Sequence, residues 1–216
     1  MATPRTYGDR CAAARALDLV GQRWALLVVR ELLLGAKRFT DLAEGMPNAK
    51  PSVLSQRLRE LEQGGVVQRR TLGPPARVSV YELTDMGREL EPVVIALGRW
   101  GRRLPMPTGA AHGIDSLVLA LKWRFNPEAA GDLSATYGLR MAGDGFRIGV
   151  ADGRMEVQRG EPDEPDSVIE TDPRTLERVI FDGGDAAEAE RSGELRLAGD
   201  RALATRLLKL YAPARS

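Results

Sequence analysis

Residues 51–64 read PSVLSQRLRELEQG, and their side chains are of the kind that recognise nucleic acid. Leu54, Leu58 and Leu61 recur at i, i+4 and i+7, which makes one apolar stripe on a helix. The opposite side of the wheel carries Ser52, Gln56, Arg59 and Gln63, with Ser55 beside them. A helix face that is merely solvated is usually built from Glu and Lys. Arginine instead presents a rigid fork that fits guanine, glutamine fits adenine, and serine bonds either base edges or phosphate. Pro51 suits the first turn of a helix, where its missing N–H is not needed, and Gly64-Gly65 stops it. Lys50, just before the helix, can reach a phosphate.

The surrounding elements must hold that face outward. Residues 10–20 and 24–34 read as helices, the second (WALLVVRELLL) apolar nearly all round and therefore a core element. Gly21 interrupts between them and Gly35 ends the second. A short helix, 41–46, is expected to be capped by Thr40, and the link 47–50 leads into the helix from Pro51. Two short helices and a tight link make a helix-turn-helix. Residues 66–72 and 77–83 are β-rich and flank Gly73-Pro74-Pro75, so a hairpin follows, carrying Arg69, Arg70 and Arg77. Arginines on a β-ribbon beside a helix-turn-helix are placed to meet phosphates or a minor groove, as in a winged helix. Thr84 then caps a long helix, 85–103, kinked at Pro92, whose stripe of Leu90, Val93, Val94, Leu97 and Trp100 needs a partner surface. A second copy of the chain would supply it.

Charge is divided along the chain. Residues 1–105 carry 17 Lys/Arg and 11 Asp/Glu, and the remainder carries 14 and 19, so a half of net +6 is joined to one of net −5. That pattern fits a polyanion-binding module next to a module with another task. The single cysteine, Cys11, excludes a disulfide framework within these residues. The first ten residues lack the apolar stretch of a secretory signal and no window is apolar enough to span a bilayer, which points to a cytoplasmic protein.

After a linker at 104–112 that includes His112, the only histidine, residues 114–125 read as a helix. Short strand-like segments follow at 133–141, 146–150, 155–159 and 168–171, suggesting an antiparallel sheet. Asp172-Pro173 starts a helix to Phe181, residues 186–191 form another, 194–197 is strand-like, and Asp200 caps a final helix, 201–211. One histidine and no cysteine here leave no zinc site, and no Ser-His-Asp set is readable, so no catalytic, metal or cofactor site is expected and the chain reads as a non-enzyme.

Two resemblances follow. The segments LDLVGQRWALLVVRELLLGAKRFTDL, VLSQRLRELEQGGVVQRR and YELTDMGREL, with Cys11 ahead of them, resemble the HxlR-type winged helix-turn-helix transcriptional regulators. The resemblance covers about residues 8–103. It implies a homodimer on a palindromic operator, more readily a repressor than an activator. Ser52, Ser55, Gln56 and Arg59 would face double-stranded DNA, with Lys50, Arg69, Arg70 and Arg77 assisting. Two departures stand out. Ala12 follows Cys11 where relatives often have proline, and the order Lys50-Pro51-Ser52 puts lysine where a serine is usual. Relatives that sense oxidants or electrophiles use this cysteine. Arg10 and Arg15 would favour its thiolate, whereas the Ala-rich setting suits a small buried residue.

Residues 168–211, VIETDPRTLERVIFDGGDAAEAERSGELRLAGDRALATRLLKLY, within about the last 50 of the chain, resemble the SCP2-like (sterol carrier protein 2) fold, with residues 113–165 matching in outline. That implies an apolar tunnel for a hydrophobic small-molecule effector, with Leu121, Phe125, Phe146, Ile148, Phe181, Leu207 and Tyr211 as candidate lining residues. The expected whole is α+β. A winged helix-turn-helix with a dimerisation helix occupies 1–103, a linker 104–112, and an SCP2-like domain 113–216. Two other readings use the same residues: a lipid-binding protein whose winged helix mediates protein contacts, and a transferase using Cys11, for which no base partner is readable.

Overall fold

The computed structural model describes residues 6–74, 77–105 and 112–211. It divides into two compact units, Met1–Pro107 and Thr108–Ser216. The architecture is mixed α+β.

In the first unit α1 (Ala12–Val20) and α2 (Ala25–Leu32) are separated at Gly21, where the glycine was expected to interrupt. α2 is the core element its composition demands, with Ala25, Val28, Val29 and Leu32 buried. α3 (Phe39–Gly45) begins two residues earlier than the sequence suggests. Its cap is Arg38 with Asp41, whose carboxylate accepts from the Arg38 backbone N–H at 3.1 Å, and not Thr40. Arg38 also holds Asp41 through its guanidinium at 2.7 Å, and that hydrogen bond keeps the Asp41 carboxyl below the usual carboxylate range. α4 (Pro51–Gln63) follows, then β1 (Val67–Thr71) and β2 (Ser79–Leu83), an antiparallel pair in which Arg69 faces Tyr81 and Arg70 faces Val80.

The long helix expected over 85–103 is two helices. Thr84 caps α5 (Asp85–Arg88), its hydroxyl accepting from the Gly87 N–H at 3.0 Å, and α6 (Glu91–Gly101) starts anew with Pro92 in its first turn. A proline inside one continuous helix would remove a hydrogen bond and strike the preceding turn, whereas at a start it does neither. Gly87 lies against the Val66 carbonyl so closely that a Cβ there would collide with backbone.

The second unit contains α7 (Ile114–Arg124), α8 (Pro127–Ala130), β3 (Ala135–Met141), β4 (Asp144–Ala151), β5 (Arg154–Arg159), β6 (Ser167–Thr171), α9 (Pro173–Phe181), α10 (Ala186–Arg191), β7 (Leu195–Gly199) and α11 (Arg201–Lys209). Asp172, Asp185 and Asp200 each cap the helix after them. The five-stranded sheet runs β5-β4-β3-β6-β7. It is not wholly antiparallel, because β3 and β6 are parallel, with Leu139 opposite Ile169. The cause lies in the connection after β5. From β5 the chain crosses β4 and β3 before β6 begins, with Glu161 over Gly145 and Pro162 near Gly138. A Cβ at Gly145 would sit 2.5 Å from the Glu161 Cγ, so a glycine suits this crossing. Along β4 the alternation is regular: Phe146, Ile148 and Val150 point into the core, while Arg147 and Ala151 are exposed.

Candidate nucleic-acid interface

α4 is held by its apolar stripe. Leu54, Leu58 and Leu61 are each at most 1% exposed. The helix packs against α1, α2 and β1, and a Cβ at Gly64 would collide with Leu19 of α1. At its start, Lys50 contributes no side-chain cap. Its carbonyl instead accepts from Val53 and Leu54 N–H at 2.9 and 3.0 Å, leaving the ammonium exposed. Outward from this anchored helix stand Ser52, Gln56 and Arg59, all exposed, with Ser55 half-buried. Arg59 makes no ion pair or hydrogen bond among the described residues, and its five donors remain available.

One residue was not singled out from the sequence. Arg57 lies on the apolar stripe, 9% exposed, and forms an ion pair with Glu60. The signal was present, since position 57 is three residues after Leu54 and four before Leu61.

The wing is fixed at its root. Lys37 and Tyr81 exchange both backbone hydrogen bonds, at 2.9 and 2.8 Å, so Lys37 adds a one-residue third strand to β1–β2. The Lys37 ammonium is itself buried and donates at 2.6 Å to Glu31 of α2, which also accepts from Arg30 at 2.7 Å. Along the ribbon the Arg69 guanidinium stands 5.9 Å over the Tyr81 ring. Arg70 donates to Glu82 at 3.0 Å, beside Gln68 at 2.9 Å. Burial pushes the Glu82 carboxyl up, but the bonds from Gln68 and Arg70 outweigh it and hold the group below the usual carboxylate range. Arg70 is thus tied along the ribbon, whereas Arg77 is exposed in the turn with a left-handed φ of 42°.

Cys11 is exposed immediately before α1, not a buried hydrophobe. The backbone amides of Ala14 and Ala13 lower its thiol pKa. The helix start favours the thiolate here, rather than the arginines the sequence suggested.

In the second unit Leu121, Phe146, Ile148, Leu207 and Tyr211 are at most 5% exposed and form the core between sheet and helices. Phe125 and Phe181 are half-buried. The Tyr211 hydroxyl donates to the Leu121 carbonyl at 2.8 Å, and burial pushes its phenol well up. Burial likewise raises the Tyr137 phenol to about 12. An open depression of about 570 Å³ is lined by other residues, among them Thr136, Arg147, Gly149, Arg154 and Asp166. His112 is not a linker residue. Its ring stacks on Phe181 at 5.2 Å, its Nδ1 lies 2.7 Å from a Glu177 carboxylate oxygen, and the Arg124 guanidinium lies 4.8 Å over the same phenylalanine. The other linker residues at 106–111 lie outside the described residues.

Residues 19–108 match the HxlR-like helix-turn-helix family. A relative, the HTH-type transcriptional regulator YvaP of Bacillus subtilis, is 40% identical over 87 residues, which is 40% of this chain and 80% of that protein. The chain belongs to the HxlR-like family. Two solved structures to which the chain is similar are the reduced form of the transcriptional regulator YodB of B. subtilis and the redox regulator HypR in its oxidized form. Each is 32% identical and has a TM-score of 0.41. The match spans 46% of this chain and 98% of YodB, and 45% and 100% for HypR. Residues 120–211 match the SCP-2 sterol transfer family. This HxlR-like chain therefore carries a helix-turn-helix of transcriptional regulators and a second unit of a different kind. Among the described residues no helix is long and apolar enough to cross a membrane.

Proposed function

We propose that this protein is a homodimeric regulator that reads a palindromic operator with α4 in the major groove and the β1–β2 ribbon on the backbone. The observation that carries this is the outward face of α4, where Arg59 stands exposed and unpaired on a helix fixed by Leu54, Leu58 and Leu61. Lys50, Ser52, Ser55, Gln56, Arg69, Arg70 and Arg77 complete the surface. Two copies would place their reading helices about 34 Å apart, one turn of the duplex. Arg59→Ala is expected to weaken binding by about 1–3 kcal/mol and to relax base preference at one position of each half-site. Fluorescence anisotropy with duplexes retained from a randomised pool measures this. An unchanged affinity and preference would remove Arg59 from the reading surface.

In the same reading the second unit takes a hydrophobic small molecule, which agrees with its match to a sterol transfer family. A coupling of about 1–3 kcal/mol between that ligand and the operator would suffice for control.

The exposure of Cys11 and its lowered pKa favour a second input, in which thiol modification alters DNA binding. Because the pKa is lowered, the thiolate persists to lower pH than at a cysteine in an unstructured chain. The rate of Cys11 alkylation by iodoacetamide is therefore expected to rise with pH along a curve displaced to lower pH than that of a cysteine in an unstructured peptide measured alongside. A curve at or above the peptide thiol's would contradict it, and Cys11→Ser supplies the blank.

A further inference from the structure

We infer that Glu60 is a specificity-determining positioning residue: anchored by the buried Arg57, it fixes the Gln56 amide in the orientation that reads a base. This inference rests on the reading of α4 as the DNA-facing helix.

The chain of contacts runs from the core outward. Arg57 lies on the buried stripe at 9% exposure, and its guanidinium is paired to Oε2 of Glu60. The other carboxylate oxygen, Oε1, accepts from Nε2 of the exposed Gln56 at 2.9 Å. One carboxylate therefore joins a buried cation to an exposed amide one turn away. A carboxylate beside a surface that meets phosphates is repelled by them, so its presence calls for a cause. Arg57 supplies it, since a buried guanidinium left without its anion is strongly destabilising.

The consequence falls on Gln56. A glutamine side chain has three free torsions and loses rotamer freedom when fixed. Its two ends, donor and acceptor, exchange on a half-turn of the amide. The bond to Glu60 uses one of the two amide hydrogens and settles which end is nitrogen. What remains is an edge with Oε1 accepting and one N–H donating, the pattern that pairs with N6 and N7 of adenine. Part of the ordering is thus done before DNA arrives, which favours both affinity and choice of base.

The test uses the full-length protein and duplexes with a randomised core, comparing base preference at every position for the wild type and three variants. Gln56→Ala removes the reader. The double substitution Arg57→Met with Glu60→Ala removes the clamp while keeping an apolar stem in the core, and it leaves net charge unchanged. Gln56→Ala added to the double variant removes reader and clamp together. Gln56→Ala and the double variant are expected to lose about tenfold discrimination at the same base pair. Adding Gln56→Ala to the double variant is expected to lose nothing more. If Gln56→Ala loses that preference and the double variant keeps it, the positioning role is wrong. A double variant whose affinity falls equally for all sequences, with a lowered thermal midpoint, assigns Glu60 a structural role only and also overturns the inference. If Gln56→Ala changes no base preference, the reading of Gln56 as a base contact fails, and the inference fails with it.

Discussion

Glu31→Ala is expected to destabilise the DNA-binding unit by about 3–5 kcal/mol, a large part of a small domain's stability. Glu31 is 2% exposed and Lys37 5%, so the substitution removes the carboxylate that a buried ammonium faces. The damage extends beyond one pair. Lys37 carries the backbone bridge to Tyr81 that roots the wing, and Arg30 donates to the other oxygen of the same carboxylate. Gly45 of α3 lies against that carboxylate, with no room for a Cβ, so a shorter side chain at 31 also leaves a void between α2 and α3. Urea unfolding of the full-length protein followed by tryptophan fluorescence measures the effect. Trp24 and Trp100 report on the first unit and Trp123 on the second. A fall in the midpoint of the first unit is expected. A change below about 0.5 kcal/mol, the size of an ordinary surface substitution, would show that the buried pair does not hold α2, α3 and the wing together.

Leu97→Glu combined with Trp100→Glu is expected to yield a monomer with operator affinity lowered by at least about a hundredfold. Val93, Leu97, Trp100 and Leu104 are spaced four, three and four apart and are 46–57% exposed, while Val94 of the same helix is buried. α6 therefore turns one apolar face inward and a second outward. Leu17 of α1, at 46%, and Tyr7, at 67%, add to the exposed apolar surface of this unit. Large side chains exposed along one stripe mark an interaction surface, and the operator symmetry proposed above makes a second copy its occupant. Losing the dimer makes the second half-site contact a separate binding event, and avidity of about 10²–10⁴ goes with it. Analytical ultracentrifugation and anisotropy on one sample test both parts. A variant that remains dimeric would remove α6 from the interface. A monomer that binds the operator unimpaired would disconnect dimerisation from recognition.

Much of the first unit was legible because its signals are local. Pro51, the leucine spacing and Gly64 bound α4 as the helix is found, Pro51–Gln63. β-branched runs around Gly73 mark the wing, and Thr84 caps where a threonine before an acidic turn should. What escaped depends on residues that meet only after folding. Glu31 and Lys37 are charged types, and nothing local shows that the turn at Gly35 returns one to the other in the core. Arg57 belongs to a residue type that is seldom buried, and only its place on the leucine stripe reveals it. In the second unit the caps at Asp172 and Asp200 and the strand alternation were readable. The parallel pairing of β3 with β6 was not, because it depends on which way a connection crosses the sheet. His112 read as linker since its partners, Glu177 and Phe181, lie more than sixty residues on. The candidate lining residues were recognisable as apolar, which identifies a core residue and a pocket wall equally.

The central claim is that this chain reads sequence. Its most direct test is selection of duplexes from a randomised pool at physiological salt, followed by anisotropy titration of the retained duplex and a scrambled one. A two-fold symmetric retained sequence is expected, bound at least about a thousandfold more tightly than the scrambled duplex. Equal, weak and steeply salt-dependent binding to both would mean that Lys and Arg hold phosphates while α4 reads nothing, and it would contradict the account.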